Sequence, residues 1–314
     1  MSLSTLDDLA EAYSRVSLAN KRALDRFVQV GRLFHDGGID FIVLKGADLL
    51  SRVYGVRGLR PITDVDLLVH ERDLRKIDDL LTASGFRRLI DGNPAYVSPE
   101  SGLILDITSE VWYIHDSAGL WERAVRRTLD GLSILCLDAQ DLLLYLTAYS
   151  VVHRGYFAPS FVTDLDLLIR KEPIDWDTVI AEALRHHLKI PLNYGLSFAC
   201  SQEPRVFVPE SVFRRLAPSG AREHLLAWLL RRLVGTQPIE GLGHLLLFLT
   251  RPSGRKRAWL RRTFWPSPEF LVSRYGDLAK SQTLMLRVTR ALHLIRQAGL
   301  LIGRILARSI ARSR

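Results

Sequence analysis

Apolar and polar positions change their period along the chain near residue 137. Leu6, Leu9, Tyr13, Val16, Leu24, Phe27, Val30 and Phe34 recur near helical spacing, which predicts an amphipathic helix over residues 5–36. Phe41-Ile42-Val43-Leu44 is a short apolar run between Gly37-Gly38 and Lys45-Gly46, the pattern of a buried strand. A helix is predicted from Ala47 to about Tyr54, a strand at Asp64–Val69, and a helix at Glu71–Ser84 stopped by Gly85. Strands follow at Phe86–Ile90, Ala95–Ser98 and Leu103–Ile107. Their turns are Asp91-Gly92-Asn93-Pro94 and Pro99-Glu100-Ser101-Gly102. Leu132–Leu137 is the last strand, and from Asp138 the pattern is nearly all helical. The expectation is an α+β chain, with a strand-bearing domain over 1–137 behind an N-terminal helix and an all-helical domain over 138–314.

Composition adds limits. With 314 residues, 47% of them hydrophobic, both domains can bury a core. Cys136 and Cys200 sit in apolar surroundings and have no metal-ligand spacing, so they read as inert thiols of a reducing compartment. Residues 1–20 carry Asp7, Asp8 and Glu11 and no long apolar core, which argues against a signal peptide. The longest apolar run, Leu245–Leu249, is far short of a membrane span, so no transmembrane helix is expected. A cytoplasmic protein follows, with a peripheral place at the inner membrane surface as an option.

Asp64-Val65-Asp66 is the most specific chemical signal. On a strand, residues i and i+2 share a face, so both carboxylates aim at one spot while Val65 and Leu67 enter the opposite layer. Like charges side by side favour a cation between them, and hard oxygen ligands favour Mg²⁺, with Mn²⁺ as the alternative. Upstream, a strand, a glycine turn and a helix start suit a phosphate, with Gly46 allowing close backbone approach and Lys45 adding charge. Arg60 lies four residues before Asp64 and can serve triphosphate oxygens or simply neutralise the acid pair. Asp106, alone in the apolar run Leu103–Ile107, is the candidate third carboxylate. It would bind metal or take a proton from an attacking hydroxyl, the alternative being a strand-end cap. Glu110 is the reserve.

Together, the apolar strand ending in Lys45-Gly46, Arg60-x-x-x-Asp64-Val65-Asp66 and the later Leu105-Asp106-Ile107 resemble a known family. It is the uncharacterised nucleotidyltransferases of the polymerase-beta-like superfamily, and the likeness runs from residue 27 to about 200. His153, Tyr156-Phe157, Asp164 and Ile174-Asp175-Trp176 match the family's helical half. The resemblance implies a minimal mixed sheet with helices, a Mg²⁺–NTP site and transfer of a nucleoside monophosphate to an acceptor that the sequence does not identify. Its rival is a module that has lost catalysis and binds nucleotide, membrane or RNA. The family commonly has Gly-Ser in the turn; this chain has Gly46-Ala47 and lacks that hydroxyl.

Asp164-Leu165-Asp166-Leu167-Leu168-Ile169 copies the acid motif's lettering, but Pro159-Ser160 before it and Arg170-Lys171 after it read as a helix. There i and i+2 diverge, so Asp166 is expected at the surface. Asp164 is expected either to contact nucleotide or acceptor, or to bond His153. His115 and His186-His187 read as surface or capping residues.

Charge is uneven. Gly241–Arg314 holds fifteen Lys or Arg against Glu269 and Asp277, a net of +13 in a chain of +9, which leaves the first 240 residues at −4. Within residues 251–314, one arginine cluster is interleaved with Trp259, Phe264 and Trp265. A second runs along a helix from about Thr283, where Leu284, Val288, Leu292, Ile295, Leu301, Ile305 and Leu306 alternate with Arg287, Arg290, Arg296, Arg304 and Arg308. Three readings stand: a helix packed on its own domain with a solvated arginine face, a helix on an anionic membrane, and an RNA-phosphate site.

Overall fold

The computed structural model describes residues 3–89, 95–268, 270–271 and 278–311. In it the apolar runs of the first half become seven strands. They are β1 (Phe41–Val43), β2 (Asp64–Val69), β3 (Arg87–Leu89), β4 (Ala95–Val97), β5 (Ile104–Thr108), β6 (Val125–Leu129) and β7 (Leu132–Cys136). One mixed sheet results, in the order β3-β4-β5-β2-β1-β7-β6, with β2–β5 and β1–β7 parallel and the other pairs antiparallel. Val65, Leu67, Val69, Leu105 and Ile107 all point to one layer. There they pack with Leu24, Phe27 and Phe34 of α1 (Leu3–Asp36) and with Ile77 and Leu81 of α3 (Leu74–Ala83). Alternation then leaves Asp64, Asp66 and Asp106 on the opposite layer. Between β1 and β2, α2 (Gly46–Leu49) widens into a π turn at Leu50–Tyr54.

Two elements of this half escape the period analysis. β6 is an edge strand whose Val125, Arg126 and Thr128 are exposed, so it needs no apolar alternation. α4 (Ser117–Arg123) is only seven residues long; its N-terminus is capped by the Asp116 carboxylate, which accepts the Gly119 N–H at 3.4 Å. The expected turn at Asp91-Gly92-Asn93-Pro94, with Ile90 before it, lies outside the described residues, as do the side chains of Arg304, Ile305, Leu306 and Arg308.

Met1–Val111 with Asp116–Asp138 form one compact unit, and Trp112–His115 with Ala139–Arg314 form another. The second is helical: α5 (Ala139–Ala148) with a π turn at Tyr149–Arg154, α6 (Phe161–Lys171), α7 (Trp176–Arg185), α8 (Lys189–Gln202), α9 (Glu210–Leu216), α10 (Ala221–Leu233), α11 (Leu242–Thr250), α12 (Ser253–Phe264) and a last helix, Leu278–Ala311. Its core lies around α5, which is buried on nearly every side as a central helix should be. Gly243 lets α11 cross the π turn closely, since a Cβ there would strike the His153 carbonyl. Among the described residues no helix is long and apolar enough to cross a membrane.

Two expectations in this unit are corrected. Asp166 is buried, because Arg170 one turn later meets both its oxygens at 2.8 and 2.6 Å and removes the cost of hiding the charge. His186 does end α7, but it is buried too: its Nδ1 accepts the His115 N–H at 3.1 Å, and its Nε2 lies 3.4 Å from Glu182.

Candidate active site

The parallel register of β2 and β5 sets Asp66 directly beside Asp106, with Asp64 two residues back on the same face. One oxygen from each of the three lies within 4.8 Å of the others. Lys45, at the end of β1, puts its Nζ 3.0 Å from Asp66 Oδ1 and 3.9 Å from Asp64 Oδ2. The Lys45 and Asp66 side chains are only 11% and 12% exposed, so this ion pair is little screened by water. Asp66 Oδ2 is buried with no hydrogen-bond partner among the described residues.

One lysine does not neutralise three acids. Burial pushes the Asp66 carboxyl from 3.8 to about 6; Lys45 pulls it down and Asp64 pushes it further up. Burial raises Asp106 as well, again with Lys45 opposing and Asp64 adding. Three clustered carboxylates sharing one lysine, with Asp66 buried and one of its oxygens unsatisfied, suit a hard divalent cation.

Beside the acids sits the turn. A Cβ built on Gly46 would lie 3.2 Å from Arg60 Nη1, which places the guanidinium against the first turn of α2. Arg60 is held there by a residue that the sequence reading missed. Asn20, buried in α1, donates from Nδ2 to the carbonyls of Arg57 and Arg60 at 2.5 and 2.7 Å, and its Oδ1 accepts the Ile62 N–H at 2.9 Å. One amide thus binds three backbone groups of the loop before the acids. The available signal was a lone polar residue between apolar helix positions, and nothing local named its partners. Beneath the turn, Asp48 and Arg52 form a buried ion pair at 3.2 Å, and Arg52 donates to the Leu137 carbonyl at 2.6 Å.

Of the sequence candidates, Lys45, Gly46, Arg60, Asp64, Asp66 and Asp106 therefore converge in the first unit. Glu110 is exposed beyond β5 and takes no part in the acid cluster. His153 and Asp164 belong to the second unit. The His153 ring stacks on Tyr149 at 5.2 Å and tilts against Trp112 at 5.4 Å, while Asp164 is buried in the first turn of α6.

The family model described as uncharacterised nucleotidyltransferase matches residues 1–201. Among solved structures, an antigenic nucleotidyltransferase-like protein from Paracoccidioides brasiliensis shares 18% identity, with 62% of this chain and 93% of that one covered at a TM-score of 0.40. The antibiotic-resistance factor ANT(2'')-Ia shares 13% identity, with 67% and 96% covered at a TM-score of 0.36. At this level of likeness neither bears on acceptor or mechanism. No curated protein matches the chain.

Proposed function

The chain belongs to the uncharacterised nucleotidyltransferase family, and from that premise we propose that it transfers a nucleoside monophosphate from an NTP to a hydroxyl-bearing acceptor, with Mg²⁺ or Mn²⁺ at its three aspartates. The observation that carries the reading is the strand register that groups Asp66 and Asp106 with Asp64. These three carboxylates would hold the ion, and the unsatisfied Asp66 Oδ2 fits that role. When bound, the ion supplies positive charge against the phosphate oxygens and the departing pyrophosphate.

The chain's own side chains do the rest. Lys45 and Arg60 bring cationic groups to the triphosphate, and Gly46 lets its oxygens approach the backbone. Asp106 receives the acceptor hydroxyl's proton, a task suited by a carboxyl whose proton affinity is raised. The hydroxyl oxygen attacks the α-phosphorus in line; the new P–O bond forms as the bond to the bridging oxygen breaks and pyrophosphate leaves. Positioning and charge neutralisation supply most of the acceleration. His153 and Asp164 are assigned a part in holding nucleotide or acceptor. The acceptor class is open to a small molecule, an envelope intermediate, a protein side chain or an RNA end.

Calorimetry of NTP binding with and without Mg²⁺, on wild type and on Asp64→Asn/Asp66→Asn, tests this. Wild type should prefer the metal–nucleotide pair, and the variant should lose the metal dependence. A wild type that binds no NTP with either Mg²⁺ or Mn²⁺ would overturn the catalytic reading.

A further inference from the structure

The last helix is built inside out for a helix that merely packs on its own unit. Arg287 and Arg290, which a solvated helix would turn to water, face the unit instead. Arg287 donates from Nε to the Pro266 carbonyl at 3.0 Å with its guanidinium 5.1 Å from the Trp265 ring centre; Arg290 donates to the Thr263 carbonyl at 3.2 Å and lies 5.2 Å from the Phe270 ring. Farther along the same side, Gln297 bonds Glu240 at 2.8 Å and Leu301 is buried. The apolar side is the one left open: Leu284, Leu292 and Ile295 are 64%, 61% and 58% exposed, and Val288 is exposed with them. At about 100° per residue these four fall within an arc of roughly 80°, and Leu284 to Ile295 runs about 17 Å. The break at Gln282 (φ −125°, ψ 26°) marks where this straight run begins.

We propose that this stripe is the docking face for an anionic lipid surface, on which the helix lies in the plane of the headgroups. Charge argues for that occupant. Gly241–Arg314 has a net charge of +13 with no acid after Asp277, so a second copy laid on the stripe would bring two strongly basic segments together. RNA would be met by Leu, Val and Ile, which neither stack on bases nor pair with phosphate, while Arg287 and Arg290 are already engaged within the unit. Exposed apolar side chains on so basic a segment fit acyl chains beneath anionic headgroups. Arg257, Arg261, Arg262 and Arg296 are exposed on α12 and the last helix, as is Trp265, an interfacial residue. Because no described helix is long and apolar enough to span, the attachment is to one surface.

The test is flotation of the full chain with vesicles of phosphatidylcholine alone and of phosphatidylcholine with phosphatidylglycerol. Binding is expected only to the second kind and should weaken in 0.5 M salt, a condition of about 4 Å screening length. Val288→Asp/Leu292→Asp should lower the partition coefficient at least tenfold with an unchanged far-ultraviolet circular dichroism spectrum. If that variant misfolds, Leu292→Gln, a milder change at an exposed site, should still lower it several-fold. No flotation of wild type, or equal flotation of a folded variant, would overturn the proposal. So would a wild-type dimer that the variant loses, or tighter binding to a mixed-sequence RNA that the variant retains.

Discussion

Asp64-Val65-Asp66-Leu67-Leu68-Val69 and Asp164-Leu165-Asp166-Leu167-Leu168-Ile169 are nearly the same sequence a hundred residues apart, yet they do opposite things with charge. On β2 the two acids share a face and meet a third from the neighbouring strand, with one lysine among them. On α6 they diverge, and Asp166 is closed off by Arg170 one turn away. The first arrangement concentrates negative charge that its surroundings do not cancel; the second cancels it locally. A carboxylate pair therefore signals a metal only where the backbone period is two and the neighbouring strand adds to the cluster.

Removing an acid from each motif should separate them most sharply. Asp66→Asn is expected to lower the nucleotidyl-transfer rate by about 10²–10³-fold, the size of losing an electrostatic contact made to the transition state. Asp166→Asn should leave the rate unchanged; equal losses in single-turnover assays would erase the distinction.

The acidity of Asp66 is the next handle. Its folded pKa of about 6 lies above the ordinary 3.8, so between those values the folded state holds a proton that the unfolded state has lost. Stability of the metal-free protein should then fall as pH rises from about 4 to 6, by roughly 3 kcal/mol in total. This is the reverse of a carboxylate whose pKa is lowered on folding, whose contribution is lost on acidification; here burial outweighs the pull of Lys45. Thermal melts of wild type and Asp66→Asn in a chelating buffer would show it as a slope that the variant flattens. Identical slopes would place the burden on another group.

Asn20 supports the comparison from outside the motif. Asn20→Ala leaves the carbonyls of Arg57 and Arg60 and the Ile62 N–H without their amide, at a cost of about 1–3 kcal/mol. Because Arg60 loses its anchor, KM for the nucleotide should rise more than kcat falls. A kcat-only effect would mean that the loop serves the acids rather than the triphosphate. The smallest effect belongs to the second motif: Asp166→Asn should cost about 1 kcal/mol or less, since Arg170 is 46% exposed and water can replace its partner. Denaturant midpoints would resolve it.

Much of this was legible along the chain. The strand at Asp64–Val69, the helix at Asp164 despite its lettering, and the change to helices after residue 137 follow from local periodicity and from Pro, Gly and charge at the ends. The facing of Asp64 and Asp66 follows too, because a strand's alternation is a property of its own backbone. What escaped was whatever depends on a partner far away in sequence. Edge strand β6 needs no apolar pattern, and Asn20 is defined by carbonyls about forty residues on. The burial of His186 likewise depends on the return of Trp112–His115 to the helical unit.

By itself, then, the sequence determined the period of each segment, and with it which side chains share a face. Only the tertiary structure decided that β5 lies parallel to β2 in the register that places Asp106 beside Asp66, and that the last helix turns Arg287 and Arg290 toward its own unit. The reason is physical: alternation and helical pitch are set by sterics within a few residues, whereas register and the choice of buried face are settled by packing between segments distant along the chain.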